Sequence, residues 1–86
     1  MDAEKVLAEI RRVIDADPTI REPNRITVGI EKKGILGLGR EVVVLKGSVH
    51  EDADRTKADR IAALHGGGRE VVDSIQVLPP GAAGNA

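Results

Sequence analysis

The sequence predicts a single α+β domain of order αββαβ, in which two helices pack on one face of a three-stranded mixed sheet. Three observations indicate this fold class: a helical apolar period over residues 2–16, two segments of strand character that follow it, and a second helical segment before a third strand. A chain of 86 residues with this order favours two layers around one core. We expect residues 1–78 to form one domain and residues 79–86 to be a flexible tail.

The first helix is predicted to run from Asp2 to about Ala16. Apolar residues recur along it at three- and four-residue spacing, which is typical of one buried helix face: Ala3, Val6, Leu7, Ile10, Val13 and Ile14. Asp17-Pro18 should end the helix, because proline disfavours helical geometry at the preceding residue and lacks a backbone donor. Ile20 is expected to fold back onto the core.

Two strands are predicted next, paired antiparallel. Residues 25–31 alternate between apolar and polar positions, the period of a half-buried strand. Residues 41–49 contain a β-branched run of three valines, and the odd positions from Val43 onward can share one face.

A second helix and a third strand complete the prediction. Acidic residues at 51, 52 and 54 favour a helix start, where one of them can act as a cap, and Gly66-Gly67-Gly68 should end that helix after His65. Val71 to Val77 is the third strand. The predicted core is Val6, Ile10, Ile14, Val28, Ile30, Val43, Leu45, Ile61 and Val77.

Composition restricts the function classes. The formal net charge is −1, and the chain has no Phe, Tyr, Trp or Cys. A general nucleic-acid binder carries a basic excess and often aromatic stacking surfaces, so both observations argue against nucleic acid as a partner. The lack of cysteine excludes disulfides and thiolate metal sites, and we expect no cofactor. The thin aliphatic core predicts modest stability.

Localisation stays open at this stage. Residues 1–4 have neither the basic nor the apolar region of a secretory signal, which as written indicates the cytoplasm, and no apolar run reaches the roughly 20 residues that span a bilayer. An excised mature domain of the periplasm or envelope would have the same appearance.

The second half of the chain resembles a BON domain in its order of apolar and glycine positions. The resemblance is carried by residues 43–49, by a helix with Ala58, Ile61 and Ala62, and by residues 67–77; the first helix, Asp17-Pro18 and the strand from Ile26 extend it to about residues 2–78. The resemblance implies an αββαβ fold, no catalysis, and association with phospholipid or other envelope components.

The chain departs from the family pattern at three points. His65 and Gly68 stand where the family has apolar residues at the end of the second helix and beyond it, so that junction is expected to be looser. The first hairpin is longer by about eight residues, with Lys32 to Arg40 as its distinctive part.

This long hairpin is the candidate binding site. Its tip is apolar and its flanks are basic, and residues 25–46 carry five basic and two acidic side chains. Such a loop suits an anionic membrane or the groove of a partner. With two arginines of the second helix, the predicted lipid- or partner-binding residues are Lys32, Lys33, Ile35, Leu36, Leu38, Arg40, Arg55 and Arg60. The alternatives are that the hairpin packs on its own domain or on a neighbouring subunit of a homo-oligomer.

Other motifs give weaker signals. Gly34 to Gly37 matches the GxxG loop of KH domains, but here it joins two strands. His65 to Gly68 is similar to an oxyanion-hole motif, yet no GxSxG nucleophile motif accompanies it, so we interpret it as a helix end. His50, Glu51, Asp52 and Asp54 match no metal-binding spacing and are expected to form a solvated helix start. We therefore predict a domain that is not an enzyme.

Overall fold

The computed structural model describes residues 2–34 and 39–79 of the chain. The predicted tip residues Ile35, Leu36 and Leu38 and nearly all of the predicted tail lie outside these described residues. Helix α1 spans Ala3–Ala16, a 3-10 turn spans Pro23–Arg25, and strands β1 and β2 span Ile26–Lys33 and Arg40–Val49. Helix α2 spans Asp52–His65, and two short strands follow, β3 at Glu70–Asp73 and β4 at Gln76–Val77.

The sheet is mixed, as predicted, with β2 at its centre. Strand β1 pairs antiparallel with β2, and β3 and β4 pair parallel with β2 on its other side. The single predicted third strand is interrupted at Ser74 and Ile75, but the register is kept, since Val71 lies opposite Val43 and Val77 opposite Val49. The Ser74 N–H still donates to the Leu45 carbonyl at 2.8 Å. The αββαβ order is therefore confirmed.

Both helices end where the sequence predicts. The backbone at Asp17 is extended, and its carboxylate accepts the N–H and the hydroxyl of Thr19 at 2.8 and 2.6 Å. Helix α2 ends at His65 with Gly66 as its C-cap, and Gly67 and Gly68 have φ of +66° and +81°, values at which a side chain would be strained. This glycine run turns the chain from α2 into β3.

Most of the predicted core is buried between the helices and one sheet face. The buried members are Val6, Ile10, Ile14, Val43, Leu45 and Ile61, joined by Ile20, Ile26, Val49, Ala58, Ala62 and Ile75. Val28 and Ile30 pack against this core but are only half-buried. The prediction was wrong for Val77, which is 39% exposed because it ends an edge strand of two residues, while Ile75 fills the core beside it.

Within the described part of the chain, no helix lies on the opposite sheet face, and yet Val42 and Val44 of β2 are buried there. The registers place charged residues around them. Glu31 and Glu70 lie on either side of Val42. Along β2, Arg40 is two positions from Val42 and Lys46 is two positions from Val44. Long charged side chains can cover apolar surface with their methylene groups. The charged residues on this face therefore shield two valines that the helices do not reach.

The start of α2 differs from the predicted solvated helix start. Glu51 is the N-cap and forms no side-chain capping bond. Asp54 is buried instead, and its carboxylate accepts the N–H of Arg21 at 3.1 Å, while Glu22 accepts the N–H and faces the ring of His50. The acidic start of α2 therefore binds the loop that follows α1.

Arg11 of α1 connects the helix to the sheet. Its guanidinium donates to the carbonyls of Pro23, at 2.7 Å, and Ile26, and it also pairs with Asp15 at 2.7 Å. These two carbonyls belong to the 3-10 turn and to the start of β1. One side chain thus fixes where the first strand begins beneath α1.

Replacing Arg11 by Ala should lower the free energy of unfolding by about 1.5–3 kcal/mol, the range for hydrogen bonds to a charged group. The measurement is urea unfolding followed by far-UV circular dichroism. Arg12→Ala is the matched control, because Arg12 is exposed and bonds Glu9 on the same helix, and it should change stability by about 0.5 kcal/mol or less. Equal losses for the two variants would contradict this role of Arg11.

Candidate functional site

The hairpin of β1 and β2 extends beyond the helix layer. On the helix side of β1, burial falls steadily toward the tip: Ile26 is buried, Val28 and Ile30 are half-buried, and Lys32 is exposed. Beyond Ile30 the helices no longer cover the strand. The described residues of β1 beyond Ile30 are therefore open to solvent or to a partner.

Three of the predicted cations lie where the described hairpin ends. Lys33 is the cross-strand partner of Arg40, and Lys32 lies opposite Glu41. The strands are held close at this point, since a Cβ built on Gly39 would lie 1.2 Å from the Lys33 carbonyl oxygen, so only glycine fits there. Lys33 and Arg40 thus project from the same sheet face, next to the tip.

Glu70 at the start of β3 binds both of these cations. The Arg40 Nη2 atom lies 2.7 Å from its Oε1 and the Lys33 Nζ atom lies 4.0 Å from its Oε2. The hydrogen bond from Arg40 lowers the pKa of Glu70, and the charges of Lys33 and Arg40 lower it further. Sequence reasoning missed this carboxylate, because the parallel register that brings β3 beside β2 has no local signal.

A second ion pair lies near the same end of the hairpin, at Glu41, the neighbour of Arg40 on β2. Arg69 donates to Glu41 through Nε and Nη2 at 3.1 and 2.7 Å, and its Nη1 donates to the Gly66 carbonyl at 3.1 Å. An open polar groove of about 350 Å³ runs between this pair, the glycine turn and the Arg40–Glu70 pair. The helix-to-strand junction, expected to be loose, is held by Arg69.

The two predicted arginines of α2 lie away from this site. Strand β2 runs from the hairpin to Val49, and α2 must return so that Glu70 can lie beside Val42. Arg55, in the first turn of α2, is therefore at the opposite end of the sheet and pairs with Asp52 at 3.0 Å. Arg60 is exposed midway along the helix.

An apolar groove of about 380 Å³ lies between α1 and the end of α2. Leu64, which is 74% exposed, lines it with Lys5, Glu9, His65 and Gly67. The Arg12 hydrogen bond lowers the pKa of Glu9, and the charges of Arg12 and of nearby His65 lower it further against the opposing effect of burial. His65 thus belongs to a surface ion-pair cluster at the helix end.

The described residues show neither a metal site nor a membrane-spanning helix. Within residues 2–34 and 39–79, no group of three His, Cys, Asp or Glu side chains is placed to hold a metal ion. Over the same part of the chain, no helix has the length and apolar character needed to cross a bilayer.

These features define a class of small α+β domains: two helices on one face of a mixed sheet, with an αββαβ order and an exposed hairpin. A family model, described as the BON domain, matches residues 2–79. The chain therefore belongs to the BON domain family, a family of binding-type modules associated with phospholipid and the cell envelope. Comparison with curated proteins and with solved structures gave no match.

Two carboxyl groups meet where α2 passes over the end of β3. Burial raises the pKa of Asp59, and a hydrogen bond to Asp73 and the charge of Asp73 raise it further. Asp73 also accepts the N–H of Ile75 at 3.0 Å. The pKa of Asp59 is raised in the folded state. Its favourable contribution to the free energy of unfolding is therefore present at low pH and is lost as the pH rises through that pKa.

Replacing Asp59 by Asn should therefore stabilise the domain at pH 7, by a few tenths of a kcal/mol as for other like-charge neighbours, and the gain should shrink as the pH falls toward 4. Thermal unfolding at several pH values provides the measurement. Asp52→Asn is the control on the same helix, since it removes a carboxylate bonded to Arg55 and should not stabilise. A gain that is the same at pH 4 and pH 7 would contradict the interpretation.

Proposed function

We propose that this domain is a non-catalytic binding module that attaches to an anionic phospholipid surface through the β1–β2 hairpin. The observation that supports the proposal best is the loss of burial along β1 toward Lys32, together with the position of Lys33 and Arg40 beside the tip. Apolar residues that follow such cations in the sequence can enter the acyl boundary while the cations remain at the headgroups.

The energetics favour weak and reversible attachment. Full burial of a leucine or isoleucine is worth about 1.5–3 kcal/mol, and the tip carries three such residues, Ile35, Leu36 and Leu38. A cation at an anionic surface adds about 1 kcal/mol. Ordering a glycine-rich loop costs about 1–2 kcal/mol per residue. The balance supports dissociation constants of the order of micromolar to millimolar for one copy.

The hairpin is the primary contact in this proposal, ahead of either helix. Arg55 and Arg60 remain predicted contact residues. Arg55, however, lies at the opposite end of the sheet from the hairpin tip, and so far from a membrane that contacts the tip. Their contribution is expected to be smaller than that of Lys32 and Lys33.

The alternative is a homo-oligomer in which the hairpin packs on a neighbouring subunit. It is favoured by the outer edge of β1, which has no strand beside it among the described residues, and open edges are templates for pairing. Analytical sedimentation distinguishes the two functions. An oligomer that dissociates upon Leu36→Asp and Leu38→Asp would favour assembly.

Co-sedimentation with vesicles tests the lipid proposal. Wild type should pellet with phosphatidylcholine vesicles that contain 30% phosphatidylglycerol and much less with pure phosphatidylcholine. Leu36→Ser/Leu38→Ser should lose about ten-fold or more in binding, because two apolar contacts are removed. Lys32→Gln/Lys33→Gln should lose less, and its loss should shrink at high salt.

Matched controls separate the hairpin from the rest of the surface. Val77→Ser removes exposed apolar area at the far end of the sheet and should bind like wild type. Arg55→Gln/Arg60→Gln removes the same charge as the lysine double variant and should have the smaller effect. If this variant loses more than the hairpin variants, or if wild type ignores anionic vesicles, the proposal is wrong.

A further inference from the structure

The carboxylate of Glu70 lies where the hairpin cations would meet an anionic headgroup. Each of its oxygens faces a different cation, Oε1 the Arg40 guanidinium and Oε2 the Lys33 ammonium. A lipid phosphate presents the same chemistry to such a pair: oxygens that accept charge-assisted hydrogen bonds. The two cations therefore already have an oxyanion partner within the chain.

We propose that Glu70 is an internal competitor for the anionic headgroup, so that the lipid binds Lys33 and Arg40 by displacing this carboxylate. The inference rests on the proposed function and adds a residue that limits its affinity. Glu70 would hold the domain in weak attachment to sparsely charged surfaces and allow stronger attachment where anionic lipid is dense.

The surroundings of Glu70 fit an exchangeable contact. Its side chain is 44% exposed and that of Arg40 is 69% exposed, so water and ligands reach the pair. Exposed ion pairs of this kind are weak and are screened by salt. A lipid phosphate can therefore displace the carboxylate at a low free-energy cost. The lowered pKa of Glu70 keeps the carboxylate charged at neutral pH.

The same sheet face supplies a matched control. Glu31 on β1 and Glu70 on β3 both lie opposite Val42 and are therefore at the same level relative to the tip. Glu31 pairs with Lys46 at 3.4 Å. Lys46 lies farther from the tip than Arg40 does. Changing either glutamate to Gln alters the net charge equally, but only Glu70→Gln releases the two cations next to the tip.

The experiment compares Glu70→Gln, Glu31→Gln and wild type in the vesicle assay, each alone and combined with Lys33→Gln/Arg40→Gln. Both single variants should gain binding from the change in net charge. Glu70→Gln should exceed Glu31→Gln by about two- to five-fold, the range for one exposed ion pair. This excess should vanish in the Lys33→Gln/Arg40→Gln background and on neutral vesicles. Circular dichroism confirms that every variant is folded.

The outcomes separate the two proposals. If wild type binds anionic vesicles and the two glutamate variants gain equally, Glu70 is not a competitor, whereas the lipid proposal stands. An excess for Glu70→Gln that persists without Lys33 and Arg40 overturns the competitor role as well. If wild type does not bind anionic vesicles, both proposals are wrong.

Discussion

The burial of β2 on both of its faces is the constraint on which the rest of the structure depends. Val43, Leu45 and Val49 face the helices, Val42 and Val44 face the other side, and all five are buried. Each of the other three strands that the structure describes pairs with β2. A chain without aromatic residues or disulfides has to obtain its stability from aliphatic packing, and β2 concentrates that packing in one strand.

The candidate site is a consequence of the same arrangement. The helices cover β2 over the length of the core, and among the described residues Glu31 to Lys33 lie beyond that cover and are exposed. Charged residues take over the shielding of the uncovered face, and the residues that do so include Lys33, Arg40 and Glu70. Arg40 and Glu70 therefore belong both to the polar cover over Val42 and to the proposed headgroup contact. A change that improves one of these roles will affect the other.

Sequence patterns predicted the elements well and their side-chain partners poorly. The helical period gave α1 and its buried face, and Asp17-Pro18 and the glycine run gave the helix ends, because these signals are local. The burial of Val28 and Ile30 was overestimated, since alternation does not reveal where a covering helix stops. Glu70 could not be assigned, because the parallel register of β3 is set by how α2 packs. Asp54 was one of three acidic residues that could cap α2. Its hydrogen bond with the N–H of Arg21 could not be predicted, because Arg21 lies in a loop 33 positions away in the chain.

The crossover from β2 through α2 to β3 has a consequence for folding order. The β1–β2 hairpin joins residues close in the chain, whereas β3 can dock only after α2 has formed and packed, because parallel strands need a crossover connection. The sheet edge formed by β3 and β4 also has the shortest pairing, with four paired residues in β3 and two in β4. It is expected to open first under native conditions. Glu70 lies on that edge, so local opening of β3 would separate it from Arg40 while the hairpin stays intact.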